Sequence, residues 1–207
     1  MKKTHSKVRV QFDHSDVKLL KKEVLHEGFC RIELFTLQNK MFSGEFTKPY
    51  TRELMVKHKA AVALPYDPVL DKVVFIEQFR AGALLQKKSP WLIEFVAGIM
   101  DKENETFEDL IHREMREEAG LEILKLIHIC DYLVSPGGST EEVRLFCAHV
   151  DSTKAPKFCA LPAENEDIKI HVVSSSDAIR ALHEGAIYNS AAIMALQWLA
   201  LSLVKKE

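Results

Sequence analysis

The stretch from Thr106 to Gly120 narrows the possible folds more than any other part of the chain, because it reads as a helix whose buried face carries acid. Thr106 is a candidate N-cap with Asp109 at the third helical position, and Gly120 stands where a glycine ends a helix, which predicts a helix over 107–119. At about 100° per residue, with Phe107 at about 0°, Leu110, Ile111 and Met115 fall at about 300°, 40° and 80° and define a stripe that must face a core. Glu114 at about 340° and Glu118 at about 20° lie in the middle of that stripe, and Glu117 at about 280° on its edge. Asp109, His112 and Arg116 face outward. Carboxylates four residues apart are about 5–6 Å from one another. At an effective dielectric of about 20 they repel by about 3 kcal/mol, before any cost of leaving water. Protonation, a basic partner or a cation could relieve this. With Glu117 counted, three carboxylates are a poor match for one basic side chain. A hard divalent cation prefers oxygen ligands and matches the cluster better.

The rest of the chain predicts a mixed sheet around this helix. Phe29–Phe35 alternates apolar and polar residues, Arg52–Val56 reads as a second strand, and residues 1–57 read as a small antiparallel sheet region set before a larger domain over 58–207. In the larger part Ala60–Leu64 and Lys72–Phe79 are strand-like and joined by Pro65–Asp71, with two prolines and two aspartates. Trp91–Ala97 is an apolar strand interrupted by one charge, Glu94. Strands are expected at Ile127–Val134, Val143–Val150 and Ile168–Val173. A helix capped by Ser175 or Ser176 runs to His183, and a last helix covers Ser190–Val204. Strands and helices mix without strict alternation, which favours a mixed sheet flanked by helices over a doubly wound parallel one.

Composition removes several function classes. The 207 residues suit one domain with a small appendage, large enough to fold without staples. Twenty-eight Lys and Arg against 30 Asp and Glu leave a formal charge of −2, which argues against bulk binding to nucleic acid or anionic membrane. Cys30, Cys130, Cys147 and Cys159 form no C-x-x-C pair and read as reduced thiols. No apolar run follows the N-terminal lysines, so no signal peptide is expected. The apolar stretch Ala191–Val204 is too short to span a bilayer, and the expectation is a soluble cytoplasmic protein.

Residues Gly98–Leu121, GIMDKENETFEDLIHREMREEAGL, resemble the Nudix box, written G-x5-E-x7-R-E-U-x-E-E-x-G-U with U aliphatic. From Glu105 through Arg113-Glu114-Met115-Arg116-Glu117-Glu118 to Gly120-Leu121 the fit has no gap. Gly98 and Glu105 are separated by six residues, so the preceding loop is one residue longer than the pattern. The resemblance implies an α/β/α sandwich around a mixed sheet and a divalent-metal-dependent hydrolase of nucleoside diphosphates linked to another group. It implies an ion pair between Glu105 and Arg113, Mg²⁺ (or Mn²⁺ in its place) on Glu114 and Glu118 with Glu117 close by, and the backbone carbonyl of Ala97 as a further ligand.

Beyond the box, Pro90-Trp91, Val96-Ala97-Gly98, Glu77-Gln78-Phe79-Arg80, Ser135-Pro136-Gly137-Gly138, Glu164-Asn165-Glu166-Asp167-Ile168, Asn189-Ser190-Ala191-Ala192 and Ala195–Leu199 resemble the ADP-ribose pyrophosphatase branch. That branch implies hydrolysis of ADP-ribose to AMP and ribose 5-phosphate. It implies substrate contacts at Phe29, Arg52, Glu53, Arg80, Ile99, Ser135, Gly137 and Glu141, a further metal ligand at Glu166, and a general base at Glu164. Glu164 lies two residues before Glu166, and in an extended segment both side chains would point to one side. Backbone N–H groups of the loop starting at Ser135 could face a ligand. The N-terminal sheet region, too small for its own core and with exposed strand edges, is expected to form a homodimer; the resemblance to the branch implies that it lends residues to the partner's site, which would bring His26, Glu27 and Phe29 near Arg80 of the second copy. Another nucleoside diphosphate sugar such as GDP-mannose, or a sensor that binds ADP-ribose without cleaving it, stands as the alternative.

Overall fold

The structure is a computed structural model that describes residues 8–161 and 165–204. Its backbone contacts divide the chain into two compact units, one running up to Lys57 and including Ser135–Thr140, the other made of His58–Val134 and the chain from Glu141 on.

The first unit is a three-stranded antiparallel sheet in the order β1 (Val17–Glu27), β2 (Arg31–Asn39), β3 (Tyr50–Val56). The strand β1 goes beyond the expected elements. Its sequence VKLLKKEVLHE does not alternate, its residues are almost all exposed, and its pairing with β2 shifts register twice. A strand without a buried face has no period-2 signature to read. Among the described residues of this unit no apolar side chain is fully buried; the buried one is Glu33, held by Lys22 Nζ at 2.7 Å and Arg31 Nε at 2.6 Å.

The second unit is a sandwich. Its sheet runs β10 (Phe158–Leu161), β11 (Glu166–Ser174), β5 (Lys72–Phe79), β4 (Ala60–Asp67), β9 (Glu142–His149), β8 (Lys125–Leu133), with β6 (Trp91–Glu94) on β5 and β7 (Val96–Ile99) on β4. The β4–β9 pairing is parallel and the others antiparallel, so the sheet is mixed as expected. Helix α1 (Phe107–Ala119) covers one face, where Leu110, Ile111, Met115 and Ala119 pack with Ala61, Ala63, Val74, Ile76, Val96 and Ile168. Helices α2 (Ser175–His183) and α3 (Ser190–Val204) cover the other, where Ala178, Ala192, Ala195, Leu196 and Leu199 pack with Val62, Leu64, Val73, Phe75 and Phe95.

Several expected bounds move. β4 extends through Asp67 because that buried carboxylate accepts from the N–H groups of Val69, Leu70 and Ser152, and the turn shrinks accordingly. The run Trp91–Ala97 is two strands, not one. The chain changes partner at Phe95, which turns into the α3-side core and stacks on Phe75 with centroids 4.8 Å apart. Because β4 and β5 pair only at Tyr66↔Val73 and Asp67↔Lys72, β6 and β7 fill the space where they part. The cap of α2 is Ser174, not Ser175 or Ser176. β11 starts at Glu166, two residues earlier than expected, and pairs with the four-residue edge strand β10, too short to leave a periodic signal.

Candidate active site

Helix α1 forms where the sequence places it, and its ends explain why. Thr106 Oγ1 accepts from Asp109 N at 3.1 Å, the Asp109 carboxylate returns to Thr106 N at 3.3 Å, and Gly120 takes a left-handed backbone with φ 63°. The caps fix the helical phase, and the phase turns Glu118 inward until it is 3% exposed.

The three ways of relieving the acid cluster divide between its members. Arg113 forms a fork, with Nε 3.0 Å from Glu105 Oε1 and Nη1 2.7 Å from Glu114 Oε1 and 3.1 Å from Glu117 Oε2. Glu105, foremost, and the Glu114 and Glu117 carboxylates hold Arg113 well above its ordinary pKa. Glu118 is held differently: its Oε2 accepts from Ala97 N at 3.0 Å. Burial pushes its pKa up to about 8; the Ala97 hydrogen bond and Arg80 resist, while Glu114 and Glu166 add to the rise.

The sheet supplies the other groups. Strand alternation from Val74 and Ile76 puts Gln78 and Arg80 on the α1 face, and Glu94, opposite Ile76, faces the same way. Arg80 Nε donates to Glu94 Oε2 at 2.7 Å. Burial opposes the Arg80 charge, but Glu94, Glu118 and Glu166 outweigh it and the guanidinium is held above its ordinary pKa. The lone charge in the run Trp91–Ala97 is therefore the partner of Arg80, a role that only strand pairing reveals. Continuing the β5–β11 register past Lys169↔Glu77 sets Glu166 opposite Arg80. Gly98 on β7 is needed for close approach: a Cβ there would stand 2.7 Å from Glu114 Cδ and overlap the carboxylate.

Arg80, Glu114, Glu118 and Glu166 are thus brought together, with Ala97 on the adjoining strand. Glu117 stands at the margin on Arg113, with 40% of its side chain exposed. Among the described residues no group of three or more His, Cys, Asp or Glu is placed to hold a metal ion, because carboxylate oxygens are turned to Arg113 and to the Ala97 N–H. The donor set itself, carboxylates around a buried Glu118 with room left by Gly98, fits a hard divalent cation and no soft one.

The remaining expected residues stand as follows. In the second unit Ile99 is 44% exposed at the end of β7, and the Glu141 carbonyl accepts from Val134 N. In the first unit Phe29 is 93% exposed with the Lys57 ammonium 5.8 Å from its ring, Arg52 stacks 4.6 Å over Tyr50, and Glu53 lies exposed opposite Leu34. In the loop of Ser135 and Gly137, the N–H groups of Gly138 and Ser139 donate back to the Ser135 carbonyl, so these two do not face a ligand. Glu164 lies outside the described residues. Asn165, next to it, has a left-handed backbone with φ 56°.

Comparison with known proteins agrees with this construction. Residues 56–195 match the NUDIX domain. The chain is 41% identical to the ADP-ribose pyrophosphatase of Escherichia coli strain K12 over 93% of its own length and 91% of the relative's. It is 39% identical to the ADP-ribose pyrophosphatase of Haemophilus influenzae over 95% and 91%. A crystal structure of an ADP compounds hydrolase superposes with a TM-score of 0.68 at 16% identity, covering 92% of this chain and 95% of that one, a likeness of fold. Because the domain match spans the residues of the Glu105–Arg113 brace, the capped acidic helix and most of the sandwich that holds it, the chain belongs to the Nudix family.

Proposed function

We propose that this protein hydrolyses the diphosphate of ADP-ribose to AMP and ribose 5-phosphate with the help of Mg²⁺, for which Mn²⁺ can substitute. The observation that carries this reading is Glu118: a carboxylate at 3% exposure among Glu114 and Glu166, beside the Arg80 guanidinium. The names of the relatives, at 39–41% identity over nearly the whole chain, supply the substrate. Glu114, Glu118, Glu166 and the Ala97 carbonyl would hold the cation, with Glu117 alongside. When bound, a divalent cation neutralises the diphosphate and acidifies a water. Arg80 binds a phosphate oxygen, oriented by Glu94 at its Nε and keeping its remaining guanidinium N–H groups for the ligand. The water oxygen joins phosphorus as the bridging P–O bond breaks, and the water's proton goes to a base. We assign that base to Glu164, on the family resemblance, and a homodimer on the absence of a buried apolar core among the described residues of the first unit. Four free cysteines support a cytoplasmic setting.

The test is chromatographic detection of AMP from a panel containing ADP-ribose and GDP-mannose, with Mg²⁺ and with a chelator. Magnesium-dependent AMP release from ADP-ribose is expected. Preferred cleavage of GDP-mannose moves the substrate within the class, and ADP-ribose binding without turnover makes the protein a sensor. Glu164→Gln should lower kcat at least about a hundredfold while Mg²⁺ affinity stays. A near-normal kcat in that variant, with Glu117→Gln inactive yet able to bind metal, moves the base into the box helix.

A further inference from the structure

Gln78 is 3% exposed, and its amide Nε2 has no hydrogen-bond partner among the described residues. An unmade donor at that depth is costly, and the mechanism above gives it no use. It lies in β5 on the α1 face, between Ile76 and Arg80, opposite Leu92 of β6. The β5–β11 register, continued one residue past Lys169↔Glu77, sets Ile168 on its other side. Its diagonal neighbours on the same face therefore include Glu94 and Glu166. Diagonal pairs lie about 7–8 Å apart at the backbone, within reach of two long side chains. Glu94 already accepts from Arg80 at 2.7 Å. Glu166 is the member of the acid cluster that stands at the head of its strand, where β11 begins.

Resting on the functional reading above, we propose that Gln78 is a positioning residue for the cation: its Nε2 donates to the Glu166 carboxylate when that group turns inward to ligate. A carboxylate that gives one oxygen to a cation needs a donor for the other, or it rotates freely about its own stem. A neutral amide supplies that donor without adding a positive charge that would compete with the cation, as an arginine would. Outer contacts of this kind orient the ligand and tune its affinity. The orphaned donor is then a feature of the unliganded arrangement, satisfied when Glu166 moves.

The experiment compares Gln78→Met and Gln78→Leu with the wild-type full chain, by calorimetric titration with Mn²⁺ and by thermal unfolding in chelator. Both substitutes are apolar and near the size of glutamine. The expected result is a Kd for Mn²⁺ about 10–100-fold weaker, with unfolding in chelator unchanged or moved to higher temperature because a buried unpaired donor is gone. In a Glu166→Gln background the Gln78 substitution should weaken Mn²⁺ little further. Wild-type affinity in both variants overturns the proposal, as does an undiminished loss in the Glu166→Gln background. Loss of the folded state in both variants makes Gln78 a packing residue and overturns it as well. A wild-type chain that binds no Mn²⁺ overturns the functional reading itself, a separate result.

Discussion

Glu118 is a carboxylate only 3% exposed on the inner face of α1. Its carboxyl is pushed from an ordinary 4.5 to about 8, burial being the main cause. Between those values the folded protein holds a proton that the unfolded chain has released, so stability must fall as pH rises through that window and level off above about 8. Carboxylates whose pKa is lowered, such as Glu77 on His171 and Asp131 on Arg144, act in the opposite sense, but below their ordinary values. In chelator, Glu118→Gln should therefore flatten the decline in melting temperature between pH 5 and pH 8 and raise it most at the alkaline end. A parallel pair of curves for wild type and variant would contradict the burial argument. Gly98 acts at the same scale. Its missing Cβ leaves room for the Glu114 carboxylate, the movable end of a flexible side chain. Gly98→Ala should displace that carboxylate, lowering Mg²⁺ affinity and kcat/KM at least about tenfold, while the melting temperature moves little, because a side chain can yield where backbone cannot.

Among elements, α1 depends on its ends more than its length suggests. Thirteen residues are marginal as an isolated helix, and this one must also carry Glu114 and Glu118 on its inner face. Thr106→Ala removes the acceptor for Asp109 N and should cost about 1 kcal/mol in urea unfolding. Gly120→Ala forces a left-handed alanine, at a cost of about 1–2 kcal/mol. Its Cβ would also stand 3.0 Å from Pro156 Cγ, so this variant should be the less stable of the two. Equal stability for both variants and wild type would mean that tertiary packing alone fixes the helix. The other deciding element is the pair β6 and β7. By changing partner at Phe95 the chain delivers Glu94 to Arg80 on one strand and Ala97 and Gly98 to α1 on the next.

At the scale of the whole molecule, the two units differ in what holds them. The second buries apolar side chains on both faces of its sheet. The first shows Val17, Leu19, Leu20, Val24 and Leu25 about half exposed along β1, and among its described residues the buried one is Glu33. Three strands without an apolar face are marginal alone, and an open, apolar edge strand seeks a partner. Sedimentation at micromolar concentration should find a dimer, and Leu19→Lys with Leu25→Lys should shift it towards monomer. A wild-type monomer with full activity would defeat the dimer and leave the second unit unaffected.

What the sequence determined by itself was whatever repeats along a single element or sits at its ends. The bounds of α1, its caps and its inward acids were legible because a 3.6-residue period and a cap are local, and β5 and α3 match their expected bounds for the same reason. Only the tertiary structure decided what depends on a neighbour distant in sequence. The pairing of Arg80 with Glu94, the break at Phe95, the entry of Glu166 into a strand opposite Arg80 and the orphaned amide of Gln78 all follow from register between strands, which no single strand encodes. β1 and β10 were invisible, one because neither of its faces is buried and the other because four residues cannot show a period. The raised pKa of Glu118 needs both: the helical phase turns it inward, and the sheet it meets keeps water away.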